Sequence, residues 1–139
     1  MKLIVTLTLV LGFLFGDAVH AQNADAASQA EIAALQWLKL TDSADYSATW
    51  EQSAGLFKAA VSKESWESAI RSVRAPLGAV QSRKLKSAQF TRTLAGAPDG
   101  EYVVIQFETQ FAHKSAAVET VTSLKEKDGS WRVSGYFIK

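Results

Sequence analysis

Hydrophobic and polar residues follow two different periods along this chain, helical in the first half and alternating in the second. The alternation is clearest in Glu101–Ala112, whose odd-numbered positions are mostly apolar. Such a pattern is typical of a strand with one buried face. Asp128-Gly129, between two further β-rich runs, predicts a two-residue hairpin turn, because both residues tolerate a positive φ. Residues 100–139 therefore predict an antiparallel meander with one buried face.

A two-residue turn also fixes the register of the hairpin, and with it the face on which each residue lies. It pairs Thr122 with Gly135 and Val121 with Tyr136. The predicted buried face then carries Leu124, Trp131, Val133 and Phe137. The opposite, half-apolar face carries Tyr102, Val104, Val121, Tyr136 and Ile138. These last five residues form a candidate dimer face, with a solvated face as the alternative.

Before residue 80 the apolar residues recur at helical spacing and predict three helices. The first covers Ala30–Thr41. Its wide buried stripe is predicted to comprise Ile32, Leu35 and Leu38, with Ala33, Trp37 and Leu40 beside them. The second helix is interrupted by Gly55, where we expect a kink or a break. The third is capped by Ser62 and ended by Pro76, because the residue before a proline leaves the α region.

Three helices followed by four strands predict an α+β fold. The first strand is predicted over Lys84–Leu94, and a loop over Ala95–Gly100 leads into the meander. We expect the three helices to pack on one face of a curved four-stranded antiparallel sheet.

The first 21 residues predict a signal peptide. Lys2 precedes a short apolar run, Leu3–Phe15, and Val19-His20-Ala21 has residues small enough for a signal peptidase to read. Cleavage after Ala21 would leave a single domain, residues 22–139. The apolar run is too short to span a bilayer comfortably, so we expect no stable membrane anchor. The protein is therefore predicted to be exported, either to a periplasm or as a secreted protein.

The charge balance disfavours nucleic acid as a partner. The chain has 15 Lys and Arg residues against 14 Asp and Glu, a net charge of +1, whereas polyanion-binding proteins are usually more basic. Between Glu67 and Asp99, however, there is no acid. A candidate anion-binding surface in this stretch comprises Arg71, Arg74, Arg83, Lys84, Lys86 and Arg92. Its partner would be an anionic component of the cell envelope or an acidic protein.

Two other interpretations account for the same basic residues. Lysines along an edge strand guard a sheet against unwanted pairing. Arg74 and Arg83 bracket the turn at Pro76, and they can instead pin that turn to Glu101 or Glu119 by charge-assisted hydrogen bonds.

Residues with catalytic potential are scarce. The chain has no cysteine, which excludes disulfides and a thiolate nucleophile. His113 is the only histidine left after cleavage, and it is predicted to lie in a turn between two strands. The carboxylates do not follow metal-ligand spacing, and no phosphate loop or nucleophile motif occurs. We therefore predict no catalytic residue, no cofactor and no metal site.

One small gap in the predicted interior is a candidate ligand pocket. Gly135 lies opposite Thr122 on the predicted core face, with Thr120 next along, so the space is small and lined with hydroxyl groups. Glu119 and Tyr136 complete this candidate pocket. The alternative is that a helix packs closely over Gly135, where only glycine permits the approach.

Several spaced motifs carry a resemblance to a known family. They are Trp37 with Asp42, Tyr46 and Trp50; Arg74-Ala75-Pro76-Leu77-Gly78 with Arg83; Pro98-Asp99-Gly100-Glu101-Tyr102; Glu119-Thr120-Val121; and Asp128-Gly129-Ser130-Trp131-Arg132-Val133 with Gly135-Tyr136. Over Ile32–Lys139 the chain resembles the bacterial family called domain of unknown function 4019. The resemblance implies a small exported protein with the cone-shaped fold of the nuclear-transport-factor-like, or cystatin-like, superfamily. It implies no catalytic residue and no ligand.

These observations favour a non-enzymatic binding or interaction module. A first alternative is a small-molecule enzyme of the isomerase or hydrolase type that uses Glu119, Tyr136 or His113 inside the fold. A second alternative is a structural homodimer in the cell envelope. An enzyme requires an ionisable pair that faces a cavity, whereas a module requires an apolar or charged patch that faces outward.

Overall fold

A computed structural model describes residues 15–139 and confirms the predicted α+β fold. Its helices are α1 (Phe15–Asp42), α2 (Tyr46–Gln52), α3 (Gly55–Ala60), α4 (Lys63–Arg74) and a short 3-10 turn (Ala75–Leu77). Its strands are β1 (Val80–Thr91), β2 (Tyr102–Phe111), β3 (Lys114–Lys125) and β4 (Trp131–Ile138). Residues 1–14 of the predicted signal peptide lie outside the described range. None of the helices in residues 15–139 has the length and apolarity needed to cross a membrane.

The boundaries of the middle helices follow from capping residues. The Asp45 side chain accepts a hydrogen bond from the backbone of Ala48 at the start of α2, and Ser62 caps α4 as predicted. The expected break near Gly55 is confirmed, and it divides the second predicted helix into α2 and α3. At the break the backbone N–H of Ala54 donates to the carbonyl of Val133 in β4, at 2.8 Å.

The first helix differs from its prediction in length and in its buried face. It begins at Phe15 rather than Ala30. Of its predicted stripe, Ile32 is 55% exposed and Leu35 is 40% exposed. The residues that α1 buries are Ala30, Ala34, Trp37, Leu38 and Thr41. Small alanines let the helix lie close to the sheet, where the Ser123 hydroxyl donates to the Ala30 carbonyl at 3.2 Å.

The four strands form one antiparallel sheet in the order β1-β2-β3-β4, and α1 contacts all of them. β1 begins at Val80, earlier than predicted, and it has a bulge at Lys86. The core lies between the helices and the sheet. It is strongly aromatic, with the Trp37 ring 6.0 Å from that of Trp66 and 5.2 Å from that of Tyr136. We call the opposite side of the sheet the open face.

The β3–β4 hairpin departs from the predicted register in two places. The turn is one residue longer than predicted, because Gly129 adopts φ 86° as a bulge and Lys125 faces Trp131. Farther along β4, Ser134 is an extra residue that has no partner in β3. Beyond Ser134 the pairing is again the predicted one, since the two insertions cancel.

Each insertion reverses the face on which the following residues lie. As a result Val121 lies in the core and Tyr136 packs against it. Thr122 and Gly135 lie on the open face. Phe137 was expected on the buried face, but it lies on the open face with them and is 51% exposed.

The candidate pocket is corrected by this reversal. Thr120, Thr122 and Gly135 do not border the interior, so the predicted pocket among them is wrong. The alternative is wrong too, because only Thr122 comes within 4 Å of the position that a Cβ on Gly135 would take. Within residues 15–139, therefore, no helix packs over Gly135.

The candidate dimer face is corrected in the same way. Val121 and Tyr136 belong to the core side of the sheet, and Ile138 lies on that side with them. Tyr102 is buried, with its hydroxyl donating to the Pro98 carbonyl at 2.7 Å. Of the five predicted residues, Val104 remains on the open face with partial exposure.

Substitution of two glycines by alanine tests this placement. Gly135→Ala should change the free energy of unfolding by no more than about 0.5 kcal/mol, because its Cβ meets only ordinary contacts at 3.9 Å. Gly78→Ala should cost about 1–3 kcal/mol, because Gly78 has φ +72° and a Cβ there would lie 3.1 Å from Ala112. Urea denaturation measures both values. An equal loss in the two variants would contradict the observed register.

Candidate functional site

Four ionisable side chains meet where the helices end above the sheet. Asp42 is the last residue of α1 and Arg74 is the last residue of α4, while Arg83 comes from β1 and Glu119 from β3. We call these four residues the ionic cluster. The last residues of the two helices meet there, since Arg74 Nη2 lies 2.8 Å from Asp42 Oδ1.

The guanidinium group of Arg83 is the centre of the cluster. Its Nε donates to Glu119 Oε1 at 2.7 Å, and its Nη1 and Nη2 donate to the two carboxylate oxygens of Asp42 at 2.8 and 3.0 Å. Arg74 Nη2 donates to Asp42 Oδ1 at 2.8 Å. Asp42 therefore binds both arginines, and the geometry on Arg83 is the bidentate one that an arginine fork favours.

Glu119 is fully buried and its carboxylate is fully engaged. Besides Arg83, the hydroxyl of Thr109 donates to Oε1 at 2.6 Å, and the hydroxyl of Tyr136 donates to Oε2 at 2.5 Å. A buried carboxylate is tolerated when its lone pairs are satisfied in this way.

The surroundings lower the pKa of Asp42 and raise the pKa of Tyr136, the neighbour of Glu119. Burial alone would raise the pKa of Asp42, but the hydrogen bonds from Arg83 and Arg74 outweigh it and hold that pKa below 3.8. Burial raises the pKa of Tyr136, and the neighbouring Glu119 adds to this shift, so the phenol stays protonated. The lowered pKa of Asp42 means that its ion pairs stabilise the fold at neutral pH. That contribution is lost as the pH falls below 3.8 toward the folded-state pKa.

Arg74 is held in a partly apolar place. Its guanidinium carbon lies 5.0 Å from the centre of the Phe111 ring, a cation–π contact. Its Nε and Nη1 are buried without a hydrogen-bond partner among residues 15–139. Asp42 is therefore the one carboxylate that Arg74 binds directly within the described chain.

The cluster has the residue types of an acid–base site but not the access of one. Two positive and two negative side chains neutralise one another. The Tyr136 hydroxyl donates a hydrogen bond to Glu119 and does not face outward. Five of the clefts on the surface formed by residues 15–139 are lined by neither Tyr136 nor a member of the ionic cluster. Proton transfer to a substrate requires contact with the reacting atom, and none of these clefts supplies it.

The structure brings some of the predicted site residues together and separates others. Glu119 and Tyr136 meet inside the fold, away from Thr122 and Gly135. The interpretation in which Arg83 binds Glu119 is confirmed, whereas Arg74 binds Asp42.

The six residues of the candidate anion-binding surface do not form one surface. Arg74 and Arg83 point into the ionic cluster. Lys84 faces Glu108 across the sheet, Lys86 occupies the bulge of β1, and Arg92 lies over the Phe90 ring at 5.4 Å. Arg71 lies over the Tyr46 ring. Because β1 is an edge strand, the exposed lysines fit the guarding interpretation.

His113 is exposed in the tight turn between β2 and β3, as its neighbours predicted. Its backbone N–H donates to the Leu77 carbonyl at 2.9 Å. It lies beside Gly78 and takes no part in the ionic cluster. Within residues 15–139, no three His, Cys, Asp or Glu side chains come together in a way that could hold a metal ion.

Sequence reasoning missed Asp42 and Thr109 as partners in the cluster. In the sequence, Asp42 is recognisable only as part of the motif with Trp37, and Thr109 lies in a strand with no nearby motif. One signal was present, since a basic stretch without acids requires its counter-charges from elsewhere in the chain.

Comparison with known families places the chain in one of them. The profile of the family described as "Protein of unknown function (DUF4019)" matches residues 33–136. The chain belongs to the DUF4019 family. The DUF4019 match contains all four residues of the ionic cluster, together with Thr109 and Tyr136. A comparison with curated proteins finds no match.

Removal of Arg83 tests the structural weight of the cluster. Arg83→Met should lower the free energy of unfolding by about 3–5 kcal/mol, because it leaves the buried Glu119 carboxylate without its counter-charge. A matched control is Lys63→Met, which breaks the exposed Lys63–Glu51 pair and should cost much less, because water screens a surface ion pair. Urea denaturation measures both variants.

A second substitution separates lost charge pairing from lost packing. In the double variant Arg83→Met with Glu119→Leu, the uncompensated carboxylate is removed, so part of the lost stability should return. If Arg83→Met costs no more than the control, the cluster is not the structural centre of the fold.

Proposed function

We propose that this DUF4019 protein is an exported, non-enzymatic binding or interaction module, periplasmic or secreted. The observation that carries the proposal is that the polar groups at the ionic cluster are bonded to one another. Glu119 and Tyr136 are the polar groups that an enzyme would use inside the fold, and both are committed to internal hydrogen bonds. The surfaces are then left to perform the function.

We also propose that the fold is of the nuclear-transport-factor-like, or cystatin-like, type. Helices on one side of a four-stranded antiparallel meander, with the core between them, support this placement. Such folds carry many unrelated functions, so the placement by itself selects none of them.

A homodimer is the second candidate, and the open face favours it. Phe137 is exposed there, and the Thr120 hydroxyl is buried without a partner among the described residues. The face also carries Val104, Val118, Thr122 and Leu124, all half-buried. A second copy that covers this face would bury apolar surface that no helix of the described chain covers.

Export is tested by the N-terminus of the protein that cells produce. When the full chain is expressed in a bacterium with a periplasm, the periplasmic fraction should contain protein that starts at Gln22. Ala21→Arg should block cleavage, because signal peptidase requires a small residue at that position. N-terminal sequencing gives the answer. Recovery of an uncleaved chain from the cytoplasm alone would contradict export.

A ligand screen distinguishes a module from an enzyme. A library of small metabolites is tested by thermal shift against the wild type and against Tyr136→Phe, which removes one hydroxyl from the interior. An enzyme's ligand bound at Tyr136 would raise the Tm of the wild type and leave the Tm of Tyr136→Phe unchanged. We expect no metabolite to behave in this way. Such a compound would overturn the proposal in favour of an enzyme. Sedimentation equilibrium on the same samples tests the dimer, whose mass should depend on protein concentration and on Phe137→Lys.

A further inference from the structure

A cleft runs along the outer edge of β4, between that strand and the second half of α1. Its volume is about 260 Å³. The residues that line it include Gln36, Gln52, Trp131 and Arg132. We call it the β4-edge cleft. It is separate from the ionic cluster, which lines no part of it.

The backbone of β4 offers hydrogen-bonding groups to this cleft. β4 is the last strand of the sheet, so one of its edges has no neighbouring strand in the described part of the chain. Ser130 accepts from Glu126 on the β3 side, and successive residues point to opposite edges, so Trp131 and Val133 point away from β3. An edge of this kind is a template for a further extended segment.

The chain already uses part of this edge itself. Ser53 and Ala54 have extended backbone angles, and the Ala54 N–H donates to the Val133 carbonyl at 2.8 Å. The backbone groups of Trp131, the next outward-pointing residue, have no such neighbour among the described residues. A segment added there would continue the contact that Ser53–Ala54 begins.

The side chains around the cleft leave hydrogen-bonding groups unused. Three of the four indole N–H groups have partners: Trp37 and Trp50 donate to backbone carbonyls, and Trp66 donates to Thr49. Trp131 is only 9% exposed, and its indole N–H has no partner within residues 15–139. The exposed amides of Gln36 and Gln52 likewise bond to no other described residue.

The combination of these groups selects the chemistry of the ligand. Amide side chains and a strand edge both match the alternating N–H and C=O groups of an extended peptide. A sugar would need an open ring face, and the two indoles in the cleft, Trp37 and Trp131, are both buried. Arg132 is the one charged residue among those that line the cleft, so a carboxylate is favoured beside it.

We infer that the β4-edge cleft binds an extended polypeptide segment that carries an acidic residue and adds to β4 beside Trp131. This rests on the proposed function, because it assigns the site and the partner class of the binding module. The segment would accept a hydrogen bond from the Trp131 indole and pair its backbone with the edge of β4.

A displayed library tests the inference directly. Random 12-residue peptides on phage are selected against the purified full chain, and each enriched peptide is synthesised and titrated into ¹⁵N-labelled protein. The four tryptophans give four indole N–H signals, and the Trp131 signal should exchange with solvent fastest in the absence of peptide. On binding, that signal should shift, and the backbone amides of Trp131 and Val133 should become protected from exchange.

Matched glutamine variants locate the site. The double variant Gln36→Ala with Gln52→Ala removes both exposed amides from the cleft and should weaken peptide binding about tenfold or more. The control, Gln81→Ala with Gln89→Ala, removes two exposed amides from β1 and should leave affinity unchanged. Both changes are at exposed positions, so folding should be retained.

The outcomes separate this inference from the proposed function. Enriched peptides that shift residues of the open face or of β1 instead would overturn the cleft and leave a binding module intact. Failure to enrich any peptide would overturn the inference, as would a shift of the Trp131 signal by maltooligosaccharides alone. Only the thermal-shift result with Tyr136→Phe bears on whether the protein is a module or an enzyme.

Discussion

The arrangement of helices on the sheet depends on the guanidinium group of Arg83. From β1 it reaches Glu119 in β3 and Asp42 at the end of α1, and Asp42 in turn binds Arg74 at the end of α4. These elements are far apart in the sequence, so no local preference could bring them together. Because the arginine fork is planar and its donors have fixed directions, the contact specifies orientation as well as distance.

Arg74, Arg83 and Glu119 are largely buried, while Asp42 reaches solvent at the margin of the cluster. A largely buried ionic cluster of this kind is better understood as a device for specificity than as a source of net stability. Desolvation of two ions costs several kcal/mol per ion, and the attraction between them offsets this cost only when the geometry is good. The face that α1 packs against the core is rich in alanine, with Ala30 and Ala34 buried and Ala26, Ala27 and Ala33 partly buried. Alanine permits close approach but gives few distinctive shapes for interlocking. We interpret the cluster as the feature that fixes where α1 and α4 end above the sheet. The aromatic contacts of Trp37 with Trp66 and Tyr136 then complete a single packing.

The sequence was sufficient for features that depend on local chemistry. Ser62 caps a helix because its hydroxyl satisfies an N–H of the first turn, and Gly55 marks a break for reasons equally local. The prediction of which residues of β3 and β4 face the core was wrong, because it depends on the number of residues in the turn and in each strand. One extra residue at Gly129 and another at Ser134 each reverse the alternation, and neither has a signal that a hydrophobic pattern reveals. The candidate pocket around Gly135 was wrong for the same reason, because it depended on the predicted register. Glu119 and Tyr136 remained adjacent only because the two insertions cancel before that pair.

The same reversal changes which parts of the molecule are available for function. It moves Tyr136 from a predicted outer face to the interior, where its hydroxyl satisfies Glu119, and it moves Phe137 from the core to the open face. The residues whose chemistry suggests catalysis are thereby used to hold the fold, since each donor and acceptor around Glu119 is already matched. Among residues 15–139, the groups without a partner include Arg74 Nε and Nη1 in the ionic cluster, the Thr120 hydroxyl on the open face and the Trp131 indole N–H at the edge of β4. A buried polar group without a partner costs free energy that a bound molecule can recover, and the Thr120 hydroxyl is such a group on the open face. At the edge of β4 the Trp131 indole N–H and the exposed amides of Gln36 and Gln52 are free to bind a partner. Recognition is therefore better sought at these two surfaces than at Glu119 and Tyr136.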